Sequence, residues 1–242
     1  MVQQLSLVSA IDEESLQVFL TTISSFTGTP HIAFENINLT YLPKELTDSS
    51  LNALETESES DKQQKRINLS TVWPNGDSDS TNTNSMPLAT LLNEKTIGWT
   101  LSTCDIPLAG NNNKQVSSQA IYETTVGETE SGIDTFMKDL GYGCDYVYKK
   151  KGHRVFHPAM MIICDIFKVI SVMTSEENVS TEKDLTENGY MVKCYANIDQ
   201  ATDIESIKLA TNNLIEFKKM LQKYLELQVP DRKVMDFSVK DY

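Results

Sequence analysis

After Pro87 the chain becomes a succession of extended, alternating segments separated by tight polar turns, and this constrains the fold more than any other feature. "TIGWTLSTCDI" is followed by "QVSSQAIYETTV", "YGCDYVY", "HRVFHPAMMIICDIFKVI" and "GYMVKCYANI". In the second of these, Val116, Ser118, Ala120, Tyr122, Thr124 and Val126 fall on one face, the period of a half-buried strand. The earlier "INLSTVW" alternates in the same way through Ile67, Leu69, Thr71 and Trp73. Consecutive strands with tight turns pair antiparallel, and this many of them curl a sheet toward closure. The expected class is mainly β, of the α+β kind: an antiparallel β-barrel or strongly curved sheet with flanking helices. One barrel domain is expected over residues 1–242.

Helical periodicity appears in three places. "DEESLQVFLTTISSFTG" puts Leu16, Phe19, Leu20, Ile23 and Phe26 on one stripe. Asp12, Glu13 and Glu14 sit in its first turn, and Gly28 with Pro30 closes it. "SGIDTFMKDLG" reads as a short helix capped by Ser131, with Ile133, Phe136, Met137 and Leu140 facing inward and Gly141 as its stop. The longest pattern is "TDIESIKLATNNLIEFKKMLQKYLEL". Thr202 and Glu205 have the spacing of a capping box, and Ile204, Ile207, Thr211, Leu214, Phe217 and Leu221 track one face up to a stop at Pro230. This helix is expected to lie across the sheet or to plug one end of the barrel.

Two polar tracts, 43–66 and 74–86, hold too few apolar positions to offset their ordering entropy and read as partly disordered surface inserts. The net charge of −13 excludes a phosphate-backbone binder, which draws on clustered Lys and Arg; no direct contact with nucleic acid is expected. The dense basic run, Lys149, Lys150 and Lys151 with Arg154 around Gly152, reads as a solvated hairpin tip. The longest apolar stretch is broken by Asp165 and Lys168, so no membrane contact is expected, and an intracellular, soluble chain is the reading. Cys104, Cys144, Cys164 and Cys194 are far apart with no CxxC, the pattern of buried thiols rather than zinc ligands or disulfides. His153 and His157 share a strand face but have no third ligand at useful spacing.

No Walker A loop, GxGxxG, GxSxG, HExxH or EF-hand loop is present. The case for catalysis rests on Glu55, Glu57 and Glu59. On a strand these would project to one side, converge in a lumen and hold a divalent cation, as a metal-dependent tunnel-type triphosphatase requires. The intervening residues are Thr56, Ser58 and Ser60, and the flanks are polar, so no packed strand fixes the carboxylates. The reading is a solvated acidic loop, with no catalytic residue, cofactor or metal expected.

"MVQQLSL" at the start, "WTLSTCDIPLAGNNN" at 99–113, "LGY" at 140–142, "TDIESI" at 202–207 and "YLELQVPDRKVMD" at 224–236 carry a resemblance. In order and spacing they resemble the fungal family of Mediator subunit 18, a head-module component of the RNA polymerase II coactivator. Ser238 departs from the Arg usual in that family. The resemblance implies a non-enzymatic nuclear scaffold: a β-barrel with flanking helices, similar to the tunnel-type RNA triphosphatases. It also implies a heterodimer with Mediator subunit 20 and docking of the C-terminal helix of Mediator subunit 8. Contacts with other head-module subunits and the RNA polymerase II initiation machinery follow from the same likeness. Within the motifs, Asp105, Pro107, Gly110, Asn111, Asp231 and Arg232 are the candidate partner-binding residues. Pro107 lacks a donor, and Gly110 and Asn111 tolerate positive φ, so turn geometry accounts for that loop as readily as a partner does. Asp231 with Arg232 could pin the tail through a charge-assisted pair or a cap.

Overall fold

The computed structural model describes residues 1–44, 65–73, 88–108, 115–127, 129, 131–174 and 180–238. Its elements are β1 (Val2–Asp12), α1 (Leu16–Thr27), β2 (Ile32–Pro43), β3 (Ile67–Val72), α2 (Leu88–Asn93) and β4 (Trp99–Cys104). They continue as β5 (Ser117–Val126), α3 (Ile133–Asp139), β6 (Tyr142–His157), β7 (Ile162–Thr174), β8 (Ser180–Asp184), β9 (Gly189–Ile198) and α4 (Ile204–Leu221). The strands run β6-β2-β3-β4-β5-β1-β9-β7-β8, and β6 also pairs with β7. Eight strands therefore close into an antiparallel barrel, with β8 hydrogen-bonded to the far end of β7. Closure leaves no free edge within the ring.

The registers decide which face of each strand looks inward. Leu5 and Leu7 of β1, Val192, Cys194 and Ala196 of β9, and Cys164 and Ile166 of β7 share one parity, and all pack with Leu16, Phe19, Leu20 and Ile23 of α1 and Leu214, Phe217 and Leu221 of α4. On the other side Ile37, Leu39 and Tyr41 of β2, Leu69 of β3 and Trp99 of β4 pack with Leu88 and Leu91 of α2 and Ile133 and Met137 of α3. Both hydrophobic cores thus lie outside the ring, between barrel and helices. The opposite parity faces the lumen and mixes polar, charged and aromatic side chains: Asn36, Asn38 and Thr40 with Phe34 on β2, Asn68 and Ser70 on β3, Gln4 and Ser6 on β1, Glu123 on β5 and Phe167 on β7.

Several sequence expectations shift. The run Lys149–Lys151 lies in the middle of the sixteen-residue β6, not at a turn. Strand alternation splits it: Lys149 is buried on the outer face, 3.8 Å over the Trp73 ring and 2.6 Å from Glu182, while Lys150 turns inward. Partners on neighbouring strands, invisible locally, make this tolerable. Helix α4 begins one position later than expected: its cap is Asp203, which accepts from the Ser206 amide at 3.0 Å, so Thr202 and Glu205 form no capping box. It stops at Leu221 rather than at Pro230, lies along the outside of β1 and β9, and leaves Ile204 exposed. Gly132, at φ +82°, and not Ser131, precedes α3; its Cα approaches the Leu92 carbonyl too closely for a side chain. Asp12 ends β1, and Glu13 with Glu14 occupies a 3-10 turn before α1; Phe26 and Leu140 are exposed. Cys144 is exposed, while the other three thiols are buried. Of the first polar tract only Pro43, Lys44, Lys65 and Arg66 are described; residues 45–64, and the whole second tract at 74–86, lie outside the described residues.

Candidate functional site

The motif around Pro107 and the motif around Asp231 meet at one mouth of the barrel. Beyond α4 the chain returns to the ring through a reciprocal backbone pair, Val8 to Gln228, each N–H···O at 2.8 Å. It then follows the rim past β5 and β4 to β3, where the Arg66 amide donates to the Phe237 carbonyl at 2.8 Å. Along this path Arg232 Nε donates to the Pro107 carbonyl at 2.9 Å. Gln119, on the lumen face of β5, donates through Nε2 to the carbonyls of both Asp105 and Met235 at 2.9 Å, and the Ser117 hydroxyl lies 3.5 Å from Met235 Sδ. Asp231 accepts from the Lys233 amide and shapes the bend rather than pairing with Arg232. Asp105 bonds Lys65 and the Tyr122 hydroxyl, and the Lys65 ammonium holds its carboxyl below the usual carboxylate range. The segment is a strap across four neighbouring strands.

Asp105, Pro107, Asp231 and Arg232 are thus brought together, and Gly110 and Asn111 lie outside the described residues. Gln119 was missed from sequence; its signal is a polar residue opposite in parity to the apolar face of its strand. The strap makes a checkable prediction. Arg232→Ala removes one rim hydrogen bond and should cost about 0.5–1.5 kcal/mol. Hydrogen exchange at the Arg66 amide should then quicken while the centre of β1 stays protected. Unchanged exchange at Arg66 would mean that Arg232 does not hold the strap.

Deeper in the lumen, strand register aligns Arg154 of β6, Asp165 of β7 and Lys193 of β9 in one row. Arg154 grips Asp165 with two bonds, Nε to Oδ1 at 2.6 Å and Nη2 to Oδ2 at 2.8 Å, and the Tyr195 hydroxyl adds a third at 3.3 Å. Lys193 Nζ donates to Gln4 Oε1 at 2.6 Å, and Gln4 Nε2 passes the chain to Asn197 at 2.9 Å. Lys150 stands near the rings of Tyr148 and Phe167, 5.7 and 5.4 Å from their centroids. Burial lowers the Lys150 ammonium, and burial followed by repulsion from Lys150 brings Lys193 down to about 8. Glu55, Glu57 and Glu59, read from sequence as a solvated acidic loop, lie outside the described residues. His153 stacks edge-on against His31, and His157 against Phe217, both on the outer face.

The Lys193 shift has a thermodynamic sign. The folded chain releases this proton near pH 8, the unfolded chain near 10.4, so between those values the unfolded state binds more protons and stability rises with pH. Lys193→Met should remove that contribution, on the order of 1–3 kcal/mol. Denaturant titrations at pH 7 and pH 9.5 on both proteins measure it: the variant's advantage at pH 7 should shrink at pH 9.5. An equal difference at both pH values would place the Lys193 titration elsewhere.

An antiparallel eight-stranded barrel with its cores outside, helices on two sides and a strapped mouth defines the class: a closed β-barrel with flanking helices and its candidate contact residues at the rim. A family model described as Med18 protein matches residues 3–237, and the chain belongs to that family. It is 34% identical to Mediator of RNA polymerase II transcription subunit 18 of Kluyveromyces lactis, over 98% of this chain and 97% of that one. To the protein of the same description from Candida glabrata it is 33% identical, over 98% and 96%. Its fold is similar to a chain in the structure of the Schizosaccharomyces pombe Mediator head module, with a TM-score of 0.69 over 94% of this chain and 98% of that one, at 13% identity.

Proposed function

We propose that the protein is a non-enzymatic scaffold subunit of the Mediator head module, working in the nucleus in RNA polymerase II transcription initiation. The observation that carries this is the end-to-end match to the subunit 18 family. In this reading it pairs with Mediator subunit 20 and receives the C-terminal helix of Mediator subunit 8. The Asp105, Pro107, Gly110, Asn111, Asp231 and Arg232 region supplies a partner-facing rim.

A groove of about 820 Å³ beside α4 supports the helix-docking part. It is lined by Leu5, Leu108, Val116, Ile204, Ile207 and Ile215, with Gln3, Lys208 and Asn212 among its polar groups. An amphipathic helix recognises such a surface by laying its apolar stripe along it. Co-expression with subunits 20 and 8 should give a stoichiometric complex on size-exclusion chromatography at micromolar concentration. Ile204→Asp, at an exposed position on the groove wall, should weaken retention of the subunit 8 helix at least fivefold while leaving the pair with subunit 20. Separate elution of all three chains would overturn the proposal.

A further inference from the structure

All four cysteines of the chain are free thiols, and two of them meet. Cys164 of β7 and Cys194 of β9, thirty positions apart, are direct partners in the antiparallel register. Strand parity sends both to the outer face, into the core that α1 and α4 cover, where neither is more than 1% exposed. The Cys194 thiol donates to Cys164 Sγ at 3.2 Å. The other two have no such neighbour, since across their ladders Cys104 faces Ile121 and Cys144 faces Tyr41. The bond from Cys194, followed by burial, pushes the Cys164 thiol well above its usual range. The closed core therefore keeps the pair as protonated, unreactive thiols.

A disulfide needs Cβ atoms about 3.5–4.5 Å apart, and directly opposed residues of antiparallel strands hold theirs at about 4.5–5.5 Å. A local approach of about 1 Å between β7 and β9 thus brings the sulfurs to bonding distance. We propose that Cys164 and Cys194 are an oxidisable dithiol, converted by a small hydroperoxide into a cross-strand disulfide that locks β7 to β9 beneath α4. With hydrogen peroxide, one thiolate attacks a peroxide oxygen, the O–O bond breaks, and the sulfur becomes a sulfenic acid as the first water leaves. The second thiol attacks that sulfur, the S–O bond breaks, and a second water carries off the hydroxyl and the remaining proton. Two electrons pass from the two sulfurs to the peroxide. The oxidant reaches the pair when the helix-covered face opens, so the rate follows opening of the core and not surface exposure. Once formed, the bond closes a loop in the unfolded chain and favours the folded one. This chemistry is independent of partner assembly.

The test holds the full chain overnight in millimolar hydrogen peroxide just below its thermal midpoint. Remaining thiols are then alkylated with N-ethylmaleimide in denaturant, and peptides are mapped by mass spectrometry. A peptide pair joined through Cys164 and Cys194, lighter by two hydrogens, should accumulate and vanish with dithiothreitol, while Cys104 stays alkylated. Phe217→Leu, which thins the cover that α4 lays over the pair, should speed bridging at least threefold. The bridged chain should melt about 3 °C or more above the same sample re-reduced with dithiothreitol, which leaves other oxidations in place. Cys164→Ala, treated alike, should show no such difference, and Cys144→Ser should keep it. If Cys164→Ala does not fold, the mapping and the re-reduction on the unmodified chain decide alone. Recovery of Cys164 and Cys194 as separately alkylated peptides, or bridging of either to Cys104 or Cys144, overturns the proposal. So does a bridged chain that melts no higher than its re-reduced form.

Discussion

Gly152→Ala should destabilise the protein by about 3 kcal/mol or more, and on the order of 5 if the strands cannot shift. Gly152 is paired to Phe34 on one side and Phe167 on the other, at the seam where β6 meets both β2 and β7. A Cβ there would sit 2.0 Å from the Ile166 carbonyl oxygen and 2.6 Å from the Phe167 Cα. Both obstacles are backbone, so no rotamer change relieves them, and the strand must separate from β7 locally. Since β6–β7 is a closing pair of the ring, the strain falls where the barrel has no spare freedom. Urea denaturation followed by tryptophan fluorescence measures the loss. A drop under about 1 kcal/mol would mean that β6 and β7 are not in such close approach.

Phe217→Ala should cost about 3–5 kcal/mol. Phe217 is fully buried on α4, among Leu214, Leu221 and the outer faces of β1 and β9, with its ring 6.0 Å edge-on from His157. Deleting the ring removes the transfer energy of a large side chain and leaves a cavity that rigid strands cannot fill. The loss should lower the denaturation midpoint with little change in slope, because the unfolded surface is nearly the same. A change below about 1.5 kcal/mol would show that α4 contributes little to the core. As α4 also forms one wall of the groove beside β1 and β5, the same variant should loosen retention of a docked helix.

The candidate site was legible in pieces. The local sequence marks Pro107 as a bend, because a missing donor is a local fact, whereas Asp231, expected to pair with Arg232 or to cap the tail, instead accepts from the Lys233 amide. That these two segments lie against each other, with Arg232 on the Pro107 carbonyl, depends on residues separated by 125 positions. Lys149 to Lys151 shows the opposite failure. Three consecutive cations look like one solvated turn until cross-strand partners are known, and those partners are Trp73 and Glu182 for Lys149 and Glu35 for Lys151. The α4 cap slipped by one residue because Thr202 and Asp203 are both competent caps, and only the geometry of the incoming chain selects between them.

By itself the sequence determined most of the strands, though not β8 or the continuity of β6 through Lys149–Lys151, together with the two long amphipathic helices, because side-chain periods of 2 and 3.6 are local properties of the backbone. Tertiary structure alone decided what the apolar face of a strand looks at. A strand such as Val116 to Val126 alternates in the same way whether its apolar side points into a barrel or out beneath helices. Here closure of β6 on β7 turned the apolar faces outward under α1, α2, α3 and α4, and placed Lys150, Asp165 and Lys193 inside. Pairing register and ring closure are sums over contacts between distant segments, and no local window of the chain contains them.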